Sequence, residues 1–394
     1  MERIAMLPRT ADIVILGAGV MGASIAFHLA KRAAGNILVL DKDYVGNGGS
    51  GRSSALVRMH YSFPPEVQLA LVSLDIFRRW QEVVGEPGDF RKTGFVRLVH
   101  PKESELLKKN VEMQKRLGVH VELIDRQQLQ ELEPDWNVEE VEGAAYEPDS
   151  GYGDGSNTAN DFLAAARARG VTYLPKTQAT ALRIEAGKVR GVNTDRGELA
   201  SPVVVVATGP WTKPLFSSLD FCVPIETEYH EVAILEKARD MRTGGCACID
   251  SVSATYFRPY SSDKFLVGDF YGNRGADPDN FPQRPDEVSL GALVERASRR
   301  IPKLQDAGIM RGVTGVYDMT PDCRPMLGEV PGISGLHLCA GFSGMGFKIS
   351  PAVGLVMSEL LLDGQAHSVD IRAFHPGRFV EGKPIRAEYE YVDD

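Results

Sequence analysis

Two stretches near the start decide the fold: Asp12-Ile-Val-Ile-Leu-Gly17-Ala-Gly19-Val-Met-Gly22, and then Ile37-Leu-Val-Leu-Asp41. The first is an apolar strand that runs into a Gly-x-Gly-x-x-Gly turn. The second is a further apolar strand ending in an acid, nineteen residues after the last of those glycines. Residues 23–34 between them carry apolar and small side chains at helical spacing. Strand, glycine turn, helix, strand and acid together form a nucleotide-binding βαβ unit. Gly17 permits the tight turn, Gly19 lets a pyrophosphate approach the backbone, and Gly22 lets the helix pack close to the strand. Ala18, Val20 and Met21 complete the turn, whose helix start directs its positive end at the phosphates. Asp41, with Lys42 beside it, is placed to accept from a ribose hydroxyl.

Outward from this unit, 394 residues exceed what one core usually serves, so two domains are expected. Hydrophobic content of 43% and charged content of 25% are those of an ordinary globular protein. The net charge of −9 is spread out and contains no basic tract, which argues against nucleic acid and against an anionic membrane surface. The apolar run at 13–20 is too short to span a bilayer, and residues 1–10 lack the apolar core of a signal peptide. Five scattered cysteines, an odd number, point to a reducing, cytoplasmic setting. The close pair Cys246 and Cys248 reads as strand packing rather than a metal or redox site.

After Asp41, residues 45–54 hold four glycines and three serines, a loop rich in free N–H groups that can wrap an anion. Gly49, Ser50, Gly51, Arg52, Ser53 and Ser54 are its candidate cofactor contacts. The alternative is a flexible linker, but the ordered pattern Ala55-Leu-Val-Arg58 resumes at once. Helices are expected over 66–84, 102–117, 126–132, 157–169, 287–300 and 350–362, with 102–117 and 126–132 on the surface of a second domain. Strands are expected at 94–99, 172–174, 228–235, 254–260 and 265–271, with a hairpin around Gly187 and Gly197. Val203-Val-Val-Val206 suits a parallel strand buried on both faces. Ala207, Thr208, Gly209 and Trp211 follow it as further cofactor contacts.

Far along the chain, Gly335 to Gly341 is a strand ending in glycine, and Phe342-Ser-Gly-Met-Gly-Phe-Lys348 opens the final helix. Gly341, Ser343, Gly344, Met345, Gly346, Phe347 and Lys348 thus form a second anion-binding turn. One cradle serves a nicotinamide dinucleotide. Two cradles with a buried strand between them point to a larger flavin dinucleotide. The bland reading is that Gly344 and Gly346 only cap a helix, but a cap needs one glycine.

On these motifs the chain resembles the flavin amine oxidases that include sarcosine oxidase, glycine oxidase, D-amino acid oxidase and dimethylglycine dehydrogenase, and most the sarcosine oxidase beta subunit branch. The match rests on Gly17 to Gly22 with Asp41, Gly51 to Arg58, Glu147 to Asp154, Ala207 to Trp211, Met319 to Asp322 and Gly341 to Pro351. The resemblance implies an α/β fold: a Rossmann-type FAD-binding domain from 1–92, 150–218 and 310–394, and a β-rich α+β substrate domain from 93–149 and 219–309. It implies that Arg58 binds a substrate carboxylate and that Lys348 shares that duty. Tyr256 and Arg258 lie on a strand whose counterpart contributes an active-site tyrosine. Two apart, they point the same way, toward either the site or the surface.

The chain departs from the family where a cysteine tethers the flavin, since Gly315 stands there, and Ser54 stands near the position of a tethering histidine. Noncovalent FAD is the expectation. Leu266 replaces an oxygen-activating lysine and Phe270 a nearby histidine, while Lys264 lies on the same strand face as Leu266. Oxygen and an electron-transfer partner therefore both remain open as acceptors. The leading expectation is oxidation of a small secondary or N-methylated amino acid by hydride transfer to flavin N5, giving an imine that hydrolyses. The alternatives are a catalytic subunit of a hetero-oligomer, homo-oligomers also being possible, and a flavin-binding module without amine turnover.

Overall fold

The computed structural model describes residues 7–238, 240, 241 and 245–391. The strand Ile13–Leu16 sits near the middle of a six-stranded sheet. It pairs in parallel with Ile37–Leu40 on one side and with Val203–Val206 on the other, Ile13 opposite Val203. Thr172–Leu174 extends one edge in parallel, Leu336–Ala340 extends the other, and the antiparallel Met326–Glu329 closes it. Alternate residues feed two cores. Ile13, Ile15 and Val205 face the helices Val20–Lys31, Gly155–Arg167 and Gly346–Asp363. Val14, Leu16, Val204 and Val206 face a small three-stranded sheet through Leu182, Val189, Val192 and Leu199. Continuous apolar strands are the natural composition for a sheet covered on both sides.

The second body is a nine-stranded sheet that includes Glu226–Glu236, Lys264–Asp269, Thr255–Pro259, Ala247–Asp250, Phe95–Leu98 and Ala144–Glu147. One face, with Val96, Phe257 and Val267, packs on the helix Glu287–Arg300. That helix begins on the side chain of Asp286, which accepts from the Ser289 N–H. The other face carries Phe95, Val232, Tyr256 and Leu266 and meets Leu56, just beyond the glycine–serine loop. The functional region lies where this face approaches the first sheet.

The structure differs from the sequence reading in four places. The helix read from residue 350 starts at Gly346, with Pro351 inside it. Proline there removes one backbone bond, and the Ser350 hydroxyl takes up the freed Phe347 carbonyl at 2.8 Å. The helix expected on the second domain's surface, Ser104–Arg116, buries Leu107, Val111 and Met113 in the core of the first body. Its sequence is charged because only one narrow stripe is covered. The span read as 66–84 is two helices, Pro64–Arg78 and Trp80–Val83. The long strand Ile309–Met319 is absent from the sequence reading, since three of its first residues are exposed and two of its positions are glycine. It pairs with Glu226–Glu236 in the nine-stranded sheet, whereas the sequence groups residues 310–394 with the nucleotide part. Among the described residues, no helix is long and apolar enough to cross a membrane.

Candidate active site

At the carboxyl ends of the central strands lies a cavity of about 570 Å³. Strand ends of such a sheet are where a crevice opens between diverging loops. Its lining includes Gly17, Gly19, Val20 and Met21 of the glycine turn, and Asp41 and Lys42 after the second strand. Gly49, Ser50, Arg52 and Ser53 of the glycine–serine loop line it too, as do Ala207, Thr208, Gly209 and Trp211. Gly344, Gly346 and Phe347 join them from the start of the last helix.

The glycines here are sterically required. Gly17 has φ +99°, and a Cβ on it would lie 2.4 Å from the Ala207 carbonyl oxygen. A Cβ on Gly22 would lie 1.9 Å from the Gly17 carbonyl oxygen, so the helix sits directly on the turn. Gly19 precedes the helix Val20–Lys31 and offers no capping side chain. Ser50 supplies one from outside, its Oγ accepting from the Val20 N–H at 3.0 Å. The Asp41 carboxylate accepts from the N–H groups of Ala18 at 2.6 Å and Asp43 at 2.7 Å, and burial pushes its pKa up. A carboxylate so held ties the glycine turn to the end of the second strand.

Several residues singled out from sequence support the cavity without lining it. Gly51 is enclosed, with the Gly46 carbonyl oxygen 2.6 Å from where a Cβ would stand. The Ser54 carbonyl accepts from Arg258 Nε at 2.5 Å, and Gly315 packs on Arg52. The Gly341 N–H donates to Asp318 at 2.6 Å, and Ser343 Oγ accepts from the Thr320 N–H at 3.1 Å. The Met345 carbonyl accepts from the Tyr61 hydroxyl at 3.4 Å.

Other lining residues escaped the sequence reading. Val316, Tyr317 and Asp318 come from the unread strand, and burial pushes the Asp318 carboxyl up to about 6. Thr177 to Thr180 follow the edge strand Thr172–Leu174, a place that the rule of ligands at strand ends would have flagged. Pro278, Asp279, Phe281 and Gln283 reach over from the β-rich body. Asp279 pairs with Lys42 and accepts from Trp211 Nε1 at 2.8 Å, while the Lys42 ammonium lies 4.1 Å from the Trp211 ring centre. Cys339 also lines the cavity, and burial pushes its thiol up, which leaves it protonated and a poor nucleophile.

The four residues proposed for chemistry fall into two groups. Arg58 and Lys348 gather on Tyr61, with the guanidinium 4.6 Å and the ammonium 5.9 Å from its ring centre. Neither is ion-paired with a carboxylate among the described residues. Burial first, then Arg58, holds the Lys348 ammonium well below the usual lysine range. Arg58 also donates to the His60 carbonyl. In the second group, Tyr256 and Arg258 are both buried, which excludes the surface reading. Tyr256 is hydrogen-bonded to Tyr317, and its ring covers Gly268, where a Cβ would lie 2.0 Å from Cζ. Arg258 lies 4.2 Å from the Tyr152 ring centre, and burial lowers its pKa to about 10. Leu266 is buried on the Tyr256 face, whereas Lys264 stands at that strand's end opposite Glu236.

The glycine cradle, the acid at the second strand's end and the extent of the cavity fit a dinucleotide. A match to the family described as "DAO: FAD dependent oxidoreductase" covers residues 12–360. The mitochondrial sarcosine dehydrogenase of Homo sapiens is 25% identical over 94% of this chain, which spans 42% of that protein's length. Sarcosine oxidase subunit beta of Rhizobium meliloti is 25% identical, covering 94% of this chain and 89% of its own. Among solved structures, L-proline dehydrogenase from P. horikoshii superposes with a TM-score of 0.89 at 26% identity, covering 96% of this chain and 100% of its own.

Proposed function

We propose that this chain, which belongs to the DAO family of FAD-dependent oxidoreductases, oxidises the C–N bond of a small secondary or N-methylated amino acid. The observation that carries the reading is that the half-buried Arg58 and the buried Lys348 share Tyr61, with neither ion-paired to a carboxylate among the described residues. A cation drawn out of water without a counter-charge is costly, so a site that keeps Lys348 buried beside Arg58 is built for an anion that arrives from outside. A substrate carboxylate supplies it. Arg58 clamps the two oxygens, Lys348 adds a point charge, and the amine end is left facing the cofactor cavity.

Asp41, Lys42, Gly344 and Gly346 would help to hold FAD, which would supply the hydride acceptor when bound. The helix Gly346–Asp363 directs its positive end toward that region and favours negative charge there. Buried Tyr256 and half-buried Tyr317, hydrogen-bonded to each other, wall the β-rich side. We take residues 1–92, 150–218 and 310–394 as the FAD-binding part and 93–149 and 219–309 as the substrate part, with Ile309–Met319 running between them. FAD is held without a covalent tether, a reading supported by Gly315 and Ser54 at the two tethering positions and by the protonated Cys339 thiol. Acid precipitation should therefore leave the yellow colour in the supernatant. A coloured pellet would overturn it.

The deciding experiment is the anaerobic visible spectrum of the yellow protein as N-methyl, cyclic and D-amino acids are added in turn. Bleaching by one of them establishes the reaction and its substrate class. A yellow protein that none of them bleaches sinks the self-sufficient reading. The likeness to a protein named as a subunit favours one second reading, a catalytic subunit in a hetero-oligomer that passes electrons to a partner rather than to oxygen.

A further inference from the structure

The segment that follows Arg58 is gripped from outside at each of its next four residues. The Met59 N–H donates to Glu147 Oε2 at 2.9 Å. The Tyr61 carbonyl accepts from Gln114 Nε2 at 3.2 Å, and the Ser62 hydroxyl lies 3.3 Å from Arg324 Nη2. His60, the residue whose carbonyl receives the Arg58 guanidinium, is gripped through its ring. Its Nε2 is 2.8 Å from the Tyr391 hydroxyl, and the two rings stack at 5.9 Å with an interplanar angle of 10°.

Tyr391 comes from a segment that lies outside both sheets and is seated by contacts of its own. The Ile385 N–H donates to Asp322 at 2.8 Å, the Tyr389 carbonyl accepts from Asn110 at 2.8 Å, and Glu390 pairs with Arg324 at 3.1 Å. The Arg97 guanidinium lies 5.0 Å from the Tyr391 ring centre. Tyr391 is 3% exposed, although it lies some 330 residues from His60 in the chain.

We infer that Tyr391 is a positioning residue for the carboxylate site: through His60 it fixes the backbone carbonyl that aims Arg58. The inference rests on the reading of Arg58 as the carboxylate clamp. A guanidinium beside Tyr61 has two sets of donors and needs one set tied down for the other to present a fixed fork. The His60 carbonyl ties it, and Tyr391 ties His60.

The test uses the FAD-loaded protein and propionate, a carboxylate with no amine to oxidise, its binding followed by the shift it causes in the flavin visible band. Tyr391→Phe keeps the stacked ring and deletes only the hydroxyl. It should weaken propionate about fivefold, the worth of one net hydrogen bond, and raise KM for the amino-acid substrate by a similar factor with kcat and FAD content unchanged. In an Arg58→Ala background the same substitution should have no effect, because the two act on one contact. An unchanged propionate affinity in Tyr391→Phe overturns the inference, and so does an additive loss in the double variant. If Arg58→Ala alone leaves propionate binding intact, the clamp itself is misassigned and the inference falls with it. His60→Gln, which keeps a polar partner for Tyr391, provides the second variant and should retain most of the affinity.

Discussion

At the level of single residues, charge without a partner is the informative feature. Half-buried Arg58 and buried Lys348 stand beside one tyrosine, and either truncation should act on binding and orientation together. Arg58→Ala is expected to lower kcat/KM roughly 100-fold, the value of a charge-assisted, oriented contact. Lys348→Met should lower kcat/KM without lowering the thermal midpoint, because it removes a desolvated ammonium from the core. Steady-state kinetics and thermal melts check both. Glu147 gives a stability prediction of defined sign. Burial pushes its carboxyl up to about 7, so between the usual glutamate range and pH 7 the folded chain binds more protons than the unfolded one. Its contribution to stability therefore falls as pH rises through that window. Glu147→Gln keeps the acceptor for the Met59 N–H, removes the slope, and should make the protein more stable at pH 8 by up to about 3 kcal/mol. Urea unfolding at pH 5 and pH 8 measures it, and equal gains at both would refute it.

At the level of elements, the site depends on how closely helices approach strand ends. Gly22→Ala would place a methyl 1.9 Å from the Gly17 carbonyl oxygen. We expect about 3 kcal/mol of destabilisation from the forced shift and loss of bound flavin, read from the ratio of visible to ultraviolet absorbance. The same closeness made this region legible without coordinates, since only glycine fits and glycines at fixed spacing are visible in sequence. Helix Glu287–Arg300 was equally plain, because its cap, its apolar stripe and its basic last turn agree. Ile309–Met319 was not. Its pairing depends on Glu226–Glu236, about eighty residues away, and two glycines and an exposed start mask the β-branched residues it carries. Two groups that line the cavity, Tyr317 and Asp318, were lost with it.

At the level of the whole molecule, the cofactor cavity is closed by both bodies. Asp279 reaches from the β-rich part to Lys42 and Trp211. Being an exposed contact, it should contribute little to folding, but Asp279→Ala is expected to speed FAD dissociation roughly fivefold. Dilution of the loaded protein with fluorescence detection of released flavin reads this directly, and an unchanged rate would show that the contact does not hold the cofactor. The sequence alone determined the central parallel strands, their crossover helix, the two glycine turns and the membership of a flavin family. Each of these is a local pattern, in which the spacing of glycines and apolar residues is itself the physical cause of the structure. Only the tertiary structure decided that Arg58 and Lys348 share one tyrosine, that Tyr256 and Arg258 are buried, and that Asp279 reaches Lys42 and Tyr391 reaches His60 from distant segments. Those contacts join residues tens to hundreds of positions apart, and packing sets them in a way that no local spacing encodes.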